Sequence, residues 1–167
     1  LGKSDVFLDG RRSQVRTQET NMGNISADAN LFVAQSFDSS VAVSLKNGGG
    51  IRAEIGEVVE VSPGVFEFLP PQANPLSGKL DGEISQLDVE NTLRFNNGLT
   101  LFDLSASDLK AVMEHAFSAT EEGATPGQFP QVAGMRVSFD PSLPANERVQ
   151  NLVIVDNAGL PVDSVVI

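Results

Sequence analysis

The most unusual stretch of the sequence is residues 46–52, in which three consecutive glycines separate Asn47 from Ile51 and Arg52. Glycine adopts positive φ without steric cost and lets backbone N–H groups approach a ligand closely. The Arg52 guanidinium is a planar, permanent cation that suits phosphate oxygens. The stretch therefore predicts an anion site, although a flexible turn followed by a surface arginine explains it equally well. It is not a nucleotide P-loop, because no Gly-Lys-Ser/Thr follows.

Two other places offer side chains that suit a phosphorylated ligand. Arg16 lies just ahead of a predicted helix N-terminus, whose free N–H groups also favour anions. Taken by itself, however, Arg16 is more typical of a solvated strand residue. Phe95 could stack on a planar base beside the amide groups of Asn96 and Asn97. Spacing alone favours the plainer interpretation, a core phenylalanine followed by a tight turn at residues 97–98.

No set of residues in the sequence suits bond cleavage. Cysteine is absent and His115 is the only histidine, whereas zinc and two-metal sites usually take several imidazoles. His115 lies in the middle of a predicted helix and off its apolar stripe, which predicts a surface or partly packed position. The acidic residues show no pair whose spacing is typical of acid–base catalysis. We therefore predict neither catalytic nor metal-binding residues in this chain.

Composition limits the class of protein and its partners. The 167 residues fit one domain over 1–167, and a hydrophobic content of 41% is ordinary for a folded domain. The net charge of −11, from 22 acidic and 11 basic residues, argues against nucleic-acid and anionic-membrane partners. No apolar run approaches the ~20 residues of a membrane span. The sequence begins at Leu1 with no signal-peptide pattern, so we expect it to be a piece of a longer protein.

Periodicity and capping residues predict the elements that would position these side chains. Apolar spacing and caps at Thr20, Ser85 and Ser105 predict helices over residues 22–35, 85–93 and 106–118. Strands are predicted over residues 41–45, 58–61, 65–69, 99–104, 132–139, 149–155 and 164–167. Helices and strands alternate irregularly, with hairpin-like neighbours. We therefore expect an α+β fold in which helices pack on a mixed β-sheet.

Three blocks of the sequence carry a family resemblance. They are Arg-Thr-Gln-Glu-Thr-Asn-Met-Gly-Asn at residues 16–24, Asn-Gly-Gly-Gly-Ile-Arg at 47–52 and Gly-Gln-Phe-Pro-Gln-Val-Ala-Gly at 127–134. In this order and spacing, they resemble the C-terminal domain of the 5′-nucleotidase family. That family includes UDP-sugar hydrolases and 2′,3′-cyclic phosphodiesterases. The similarity runs from about Val6 to the end of the chain.

The resemblance assigns substrate-binding roles to individual side chains. The residues concerned are Arg16, Asn47, Gly49, Gly50, Arg52, Phe95 and Asn97. By similarity, Arg16 and Arg52 hold the phosphate and Asn47 contacts the ligand beside the glycine loop. Phe95 is one of two rings that sandwich the base, and Asn97 is a polar contact to it.

The resemblance also implies partners and cofactors outside this chain. In the family, an N-terminal metallophosphatase domain holds two divalent metal ions, and the C-terminal domain grips the substrate. The resemblance implies that the parent protein is a 5′-nucleotidase-like phosphomonoester hydrolase that is periplasmic, secreted or located at the bacterial cell surface. Its substrate would be a nucleoside monophosphate or a related phosphoester, with the N-terminal domain as partner. The chain alone would be inactive.

Two features depart from the family pattern. Arg94 stands where the family usually has proline, and Asn96 where glycine is common, so the base pocket is expected to differ. The sequence ends before the family's Gly-Gly-Asp-Gly segment, which carries the second ring, and we expect the domain to lack this last segment.

Two other functions remain open. One is a non-catalytic binding or interaction module of a larger extracellular protein, distinguished by the absence of upstream metal-ligand motifs. The other is a structural domain with a vestigial glycine loop. The presence of both Arg16 and Arg52 argues against a purely structural role.

Overall fold

The computed structural model describes residues 1–165. Its helices are α1 Arg12–Val15, α2 Asn21–Phe37, α3 Gln86–Thr92 and α4 Ala106–Phe117, with one 3₁₀ turn at Gly48–Gly50. Its strands are β1 Gly2–Lys3, β2 Ser44–Asn47, β3 Glu57–Ser62, β4 Val65–Leu69, β5 Glu83–Ile84, β6 Pro130–Ala133, β7 Met135–Phe139, β8 Val149–Val155 and β9 Pro161–Val165.

The described strands form small antiparallel sheets. The pairs are β1 with β5, β2 with β6 and β3 with β4, and β7, β8 and β9 form a three-stranded sheet in that order. The predicted α+β class is confirmed, with one difference. Instead of one sheet of mixed direction, residues 1–165 form four separate sheets, because the connections are mostly hairpins or loops rather than parallel crossovers.

One hydrophobic cluster joins α4 to the C-terminal strands. Its buried members are Met113, Phe117, Phe129, Met135, Val149 and Leu152. The ring of Phe117 stacks on that of Phe139, with centroids 3.9 Å apart and planes at 8°. This cluster fixes the segment that leads into β6, and β6 in turn pairs with β2.

A second hydrophobic cluster lies beneath the glycine loop. Leu8, Val15, Met22, Ile51 and Ile55 are its buried members. Val15 is 0% exposed and Ile51 is 1% exposed, and each directly precedes an arginine of the predicted anion site. The burial of these two side chains therefore sets the backbone positions from which Arg16 and Arg52 extend.

The predicted helices are confirmed together with their caps. The Thr20 hydroxyl accepts a hydrogen bond from the Gly23 amide at the start of α2. Ser85 and Asp88 form a reciprocal capping box at the start of α3, and the Ser105 hydroxyl caps α4. These signals are local in sequence, since a cap bonds to an amide only three residues away.

Two strand predictions need correction. The strand predicted over 99–104 is wrong: these residues pair with no strand among residues 1–165, and Leu99, Leu101 and Phe102 are 48%, 44% and 67% exposed. An alternating apolar pattern indicates which face of a strand would be buried, but it does not indicate a neighbouring strand with which that strand could pair. The strand predicted over 132–139 breaks at Gly134, which has a φ of 74°.

The remaining strand predictions differ only at their ends. β2 begins at Ser44, three residues later than predicted, whereas the hairpin of β3 and β4 is confirmed. The predicted terminal strand corresponds to β9, and residues 166–167 lie outside the described part of the chain.

Candidate functional site

The glycine loop is held by close backbone contacts rather than by unusual backbone angles. None of the three glycines has positive φ, in contrast to the sequence-based expectation. A Cβ at Gly48 would lie 2.0 Å from the carbonyl oxygen of Val15, and one at Gly49 would lie 2.8 Å from that of Gly127. Glycine is required here because the loop passes so close to neighbouring carbonyl groups.

The loop amides are also less available than the sequence suggested. The Gly48 amide donates to the Phe129 carbonyl at 2.7 Å, and the Gly49 amide donates to the Gly127 carbonyl at 2.8 Å. These two N–H groups are therefore not free to cradle a ligand, whereas the substrate-binding role assigned to Gly49 and Gly50 stays a prediction. The loop instead brings three chain segments together, and side chains from those segments line the site.

Arg52 and Phe95 lie beside each other at the exposed end of the loop. Arg52 is exposed, and its guanidinium donates to the Gly49 carbonyl oxygen at 3.4 Å. The Arg52 Cζ lies 5.8 Å from the centroid of the Phe95 ring. Phe95 is 51% exposed, so the interpretation as a core phenylalanine is wrong. The structure thus combines a cation with an accessible aromatic face.

Arg16 occupies a different environment from the one expected of a solvated strand residue. It is the C-cap of α1 and is only 7% exposed. One guanidinium nitrogen donates to the Thr125 carbonyl oxygen at 3.5 Å, and the buried Nε has no hydrogen-bond partner among residues 1–165. Burial lowers the pKa of Arg16, and the positive charges of Arg12 and Arg52 lower it further.

Arg12 is a member of this site that the sequence reasoning missed. Its Nε donates to the Thr125 hydroxyl at 3.1 Å, so that Thr125 contacts both Arg12 and Arg16. The spacing of four residues between the two arginines was the available signal, since such residues share one face of a helix. It was overlooked because α1 has only four residues and no apolar periodicity.

The cluster of Arg12, Arg16 and Arg52 has no acidic counterpart within residues 1–165. The side-chain ion pairs in that range are Lys3–Glu83, Arg11–Asp9 and Lys79–Asp88. Three like charges close enough to depress a guanidinium pKa repel one another. In a chain of net charge −11, this local excess of positive charge would attract an anion.

The two asparagines of the predicted site differ in how the structure places them. Asn47 is exposed and donates from its amide to the Gly127 carbonyl oxygen at 3.2 Å, which fixes it beside the loop. Its Oδ1 lies 3.3 Å from the point that a Cβ at Gly50 would occupy. Asn97 is exposed in the irregular segment that follows Phe95, and its side chain makes no hydrogen bond to residues 1–165.

The arrangement can bind and orient an anion, but it contains no group suited to cleaving a bond. Within the described residues, no group of three or more His, Cys, Asp or Glu side chains could hold a metal ion. His115 is exposed on α4, as predicted. The donor set of residues 1–165 therefore does not fit a two-metal centre.

The family profile described as 5′-nucleotidase, C-terminal domain, matches residues 1–165. The chain belongs to this family. Similar members include the trifunctional nucleotide phosphoesterase protein YfkN of Bacillus subtilis (strain 168), which is 35% identical over 139 residues, or 83% of this chain. The human 5′-nucleotidase is 31% identical over 160 residues, or 93% of this chain.

Solved structures of the 5′-nucleotidase family share the fold. A 5′-nucleotidase precursor from Thermus thermophilus matches with a TM-score of 0.73 and 31% identity, covering 97% of this chain and 27% of that one. The NAD nucleotidase of Haemophilus influenzae matches with a TM-score of 0.58 at 21% identity, which supports the fold alone.

This 5′-nucleotidase C-terminal domain accounts for a minor part of its relatives' length. The match spans 24% of the human protein and 8% of the B. subtilis protein. In the part of the domain that the structure describes, no helix is both long and apolar enough to cross a membrane.

Proposed function

We propose that this chain is the substrate-binding domain of a metal-dependent 5′-nucleotidase-type phosphohydrolase. Its ligand is a nucleoside monophosphate or a related phosphoester. Arg16 and Arg52, assisted by Arg12, bind the phosphate, and Phe95 stacks on the base. The observation that carries the proposal is the buried Arg16 guanidinium, which is surrounded by further positive charge and lacks an acidic partner among residues 1–165.

Keeping this cluster of arginines charged without a bound anion is unfavourable. A buried charge without a partner is destabilising, and like charges nearby increase that cost. A phosphate group carries about −1.5 to −2 charges and three acceptor oxygens, which suit the planar donors of several guanidinium groups. Phosphate binding would therefore offset the unpaired charge of Arg16 and relieve its repulsion with Arg12 and Arg52.

The base is recognised beside the phosphate. Stacking of a base on an exposed aromatic ring contributes about 1–3 kcal/mol, and it tolerates different bases. Phe95 offers such a face within 5.8 Å of the Arg52 Cζ. Asn47 and Asn97 supply polar contacts to the ligand, with Asn47 adjoining Gly49 and Gly50 of the loop.

Cleavage of the phosphoester belongs to another part of the protein. Residues 1–165 lack a suitable ligand set, so we place two divalent metal ions in an N-terminal metallophosphatase domain that is this chain's partner. The names of the relatives, 5′-nucleotidase and nucleotide phosphoesterase, support a hydrolase as the parent. The chain alone is expected to be inactive.

A bacterial periplasmic, secreted or cell-surface location is part of the proposal. A snake venom 5′-nucleotidase, 29% identical over 160 residues, is among the relatives. That protein's name is consistent with a secreted location.

Ligand-observed NMR with AMP, adenosine and inorganic phosphate tests the proposal. AMP should bind more tightly than adenosine, and Arg52→Met should weaken AMP by about tenfold or more, the size of a lost charge-assisted hydrogen bond. Arg136→Met is the matched control, because Arg136 is exposed on β7 and outside the cluster.

Equal binding of adenosine and AMP, or equal losses in the two variants, would contradict a phosphate anchor at Arg52. Failure of all three ligands to bind the full chain would favour the non-catalytic interaction module.

A further inference from the structure

Lys46 contributes a further cation beside the glycine loop. It belongs to β2, where it pairs with Gln131 of β6, and its side chain is half-buried. A Cβ at Gly50 would lie 3.9 Å from the Lys46 Nζ and 3.3 Å from the Asn47 Oδ1. The Lys46 ammonium and the Asn47 amide therefore adjoin the same point, two residues before Arg52.

This ammonium has no counter-ion in the described part of the molecule. Lys46 takes part in none of the ion pairs between residues 1 and 165, and it makes no side-chain hydrogen bond within that range. Burial lowers the pKa of Lys46, since the ammonium is partly removed from water without a compensating charge. A partly desolvated lysine without a partner is unusual in a chain that has 22 acidic residues.

We infer that Lys46 is a fourth cation beside the glycine loop and binds a second anionic group where the ligand carries one, so that a diphosphate gains affinity from Lys46 that a monophosphate does not. The inference rests on the proposed function and adds a specificity-determining residue to it. Arg12, Arg16 and Arg52 already outweigh the charge of about −1.5 to −2 on one phosphate. A further cation near Gly50 would therefore contribute more to the binding of a ligand that carries a second phosphoryl group than to the binding of one that carries a single phosphate.

The experiment compares inorganic phosphate with inorganic pyrophosphate, since neither carries a base. Binding is measured by titration calorimetry on the full chain, with a chelator present so that no metal ion holds either ligand. Lys46→Met removes the charge but keeps a long apolar stem, and Lys46→Arg keeps the charge. Lys3→Met is the matched control, because Lys3 is exposed on β1 at a different sheet.

Lys46→Met should weaken pyrophosphate binding about tenfold, the size of one charge-assisted hydrogen bond, and weaken phosphate less than about threefold. Lys46→Arg should keep most of the pyrophosphate affinity, and Lys3→Met should change neither ligand. If Lys46→Met reduces the folded fraction, as judged by its thermal transition, Lys46→Gln provides the same comparison with a polar stem.

An equal loss for both ligands, or no loss for pyrophosphate, would overturn the role of Lys46. AMP binding to the wild-type chain separates this failure from that of the proposed function. If AMP binds and only the Lys46 comparison fails, the specificity inference alone is wrong. If AMP, phosphate and pyrophosphate all fail to bind, both are wrong.

Discussion

Alanine substitutions along the glycine loop should destabilise the domain in a fixed order. A new Cβ would lie 2.0 Å from the Val15 carbonyl oxygen at Gly48, 2.8 Å from the Gly127 carbonyl oxygen at Gly49, and 3.3 Å from the Asn47 amide oxygen at Gly50. None of these glycines has positive φ, so the contacts alone determine the effect. We expect Gly48→Ala to be the most harmful and Gly50→Ala the least.

The magnitudes follow from what must move. At Gly48, the loop and the Val15 carbonyl oxygen, 2.0 Å from the new Cβ, would have to separate by about 1.3–1.6 Å to reach an ordinary carbon–oxygen contact. This movement also weakens the hydrogen bond from the Gly48 amide to Phe129. Overpacking of this kind costs about 1–3 kcal/mol and a lost hydrogen bond about 1 kcal/mol, so Gly48→Ala should cost about 3 kcal/mol.

The other two positions should be progressively milder. Gly49→Ala should cost about 1–2 kcal/mol, because the opposing atom belongs to the backbone but needs a smaller shift. Gly50→Ala should cost less than about 1 kcal/mol, because the Asn47 side chain can rotate away. It should nevertheless weaken ligand binding, since Asn47 leaves its place beside the loop.

Urea denaturation of the three variants measures these free energies of unfolding, with slopes compared to exclude changes in cooperativity. Gly98→Ala is the control: no atom lies within 4 Å of a Cβ there, and its φ is not positive, so a change within about 0.5 kcal/mol is expected. A Gly50→Ala cost equal to that of Gly48→Ala would refute the steric account. The steric account would also be refuted if all three loop substitutions changed the free energy of unfolding as little as Gly98→Ala does.

Two further predictions concern structural carboxylates. Glu114 is 3% exposed and accepts hydrogen bonds from the backbone amides of Arg148 and Val149. Glu114→Gln should therefore lower the free energy of unfolding, measured by urea denaturation, by about 1–3 kcal/mol. An unchanged urea midpoint would contradict this role. Burial raises the pKa of Asp88, but hydrogen bonds from Lys79 and the Ser85 cap and the charge of Lys79 outweigh it and leave the pKa lowered. Because the folded pKa lies below the unfolded one, wild-type stability should fall as the pH drops from about 5 towards 3, whereas Asp88→Asn should lose this component. Equal pH dependence of the two urea midpoints would contradict the prediction.

Local signals made the helices and the α+β class predictable. Thr20, Ser85 and Ser105 bond to amides within the next turn, so a few adjacent residues specify each helix start. The hairpin of β3 and β4 was equally local, with Gly64 at a φ of 76° in its turn. The segment over 99–104 failed because a strand depends on a distant partner that the alternation of side chains does not reveal.

The environment of the site was harder to predict from the sequence, because it depends on contacts between residues that are distant in sequence. Arg16 is buried because α1 packs beneath the loop and meets Thr125, which lies more than a hundred positions away. The glycines of the loop are required by carbonyl groups of Val15 and Gly127, so their purpose could not be deduced from their own conformational freedom. Residue types indicated an anion site, but only the fold added Arg12.

The most direct test of the central claim is a crystal structure of the full chain with AMP. Phosphate oxygens should lie about 3 Å from the guanidinium nitrogens of Arg16 and Arg52, with the base against Phe95. A contradictory result would place AMP away from the loop, for example in the groove along β6 and β7 that Arg136 and Phe139 line. The arginine cluster would then not be the phosphate site, and its unpaired charge would need another explanation.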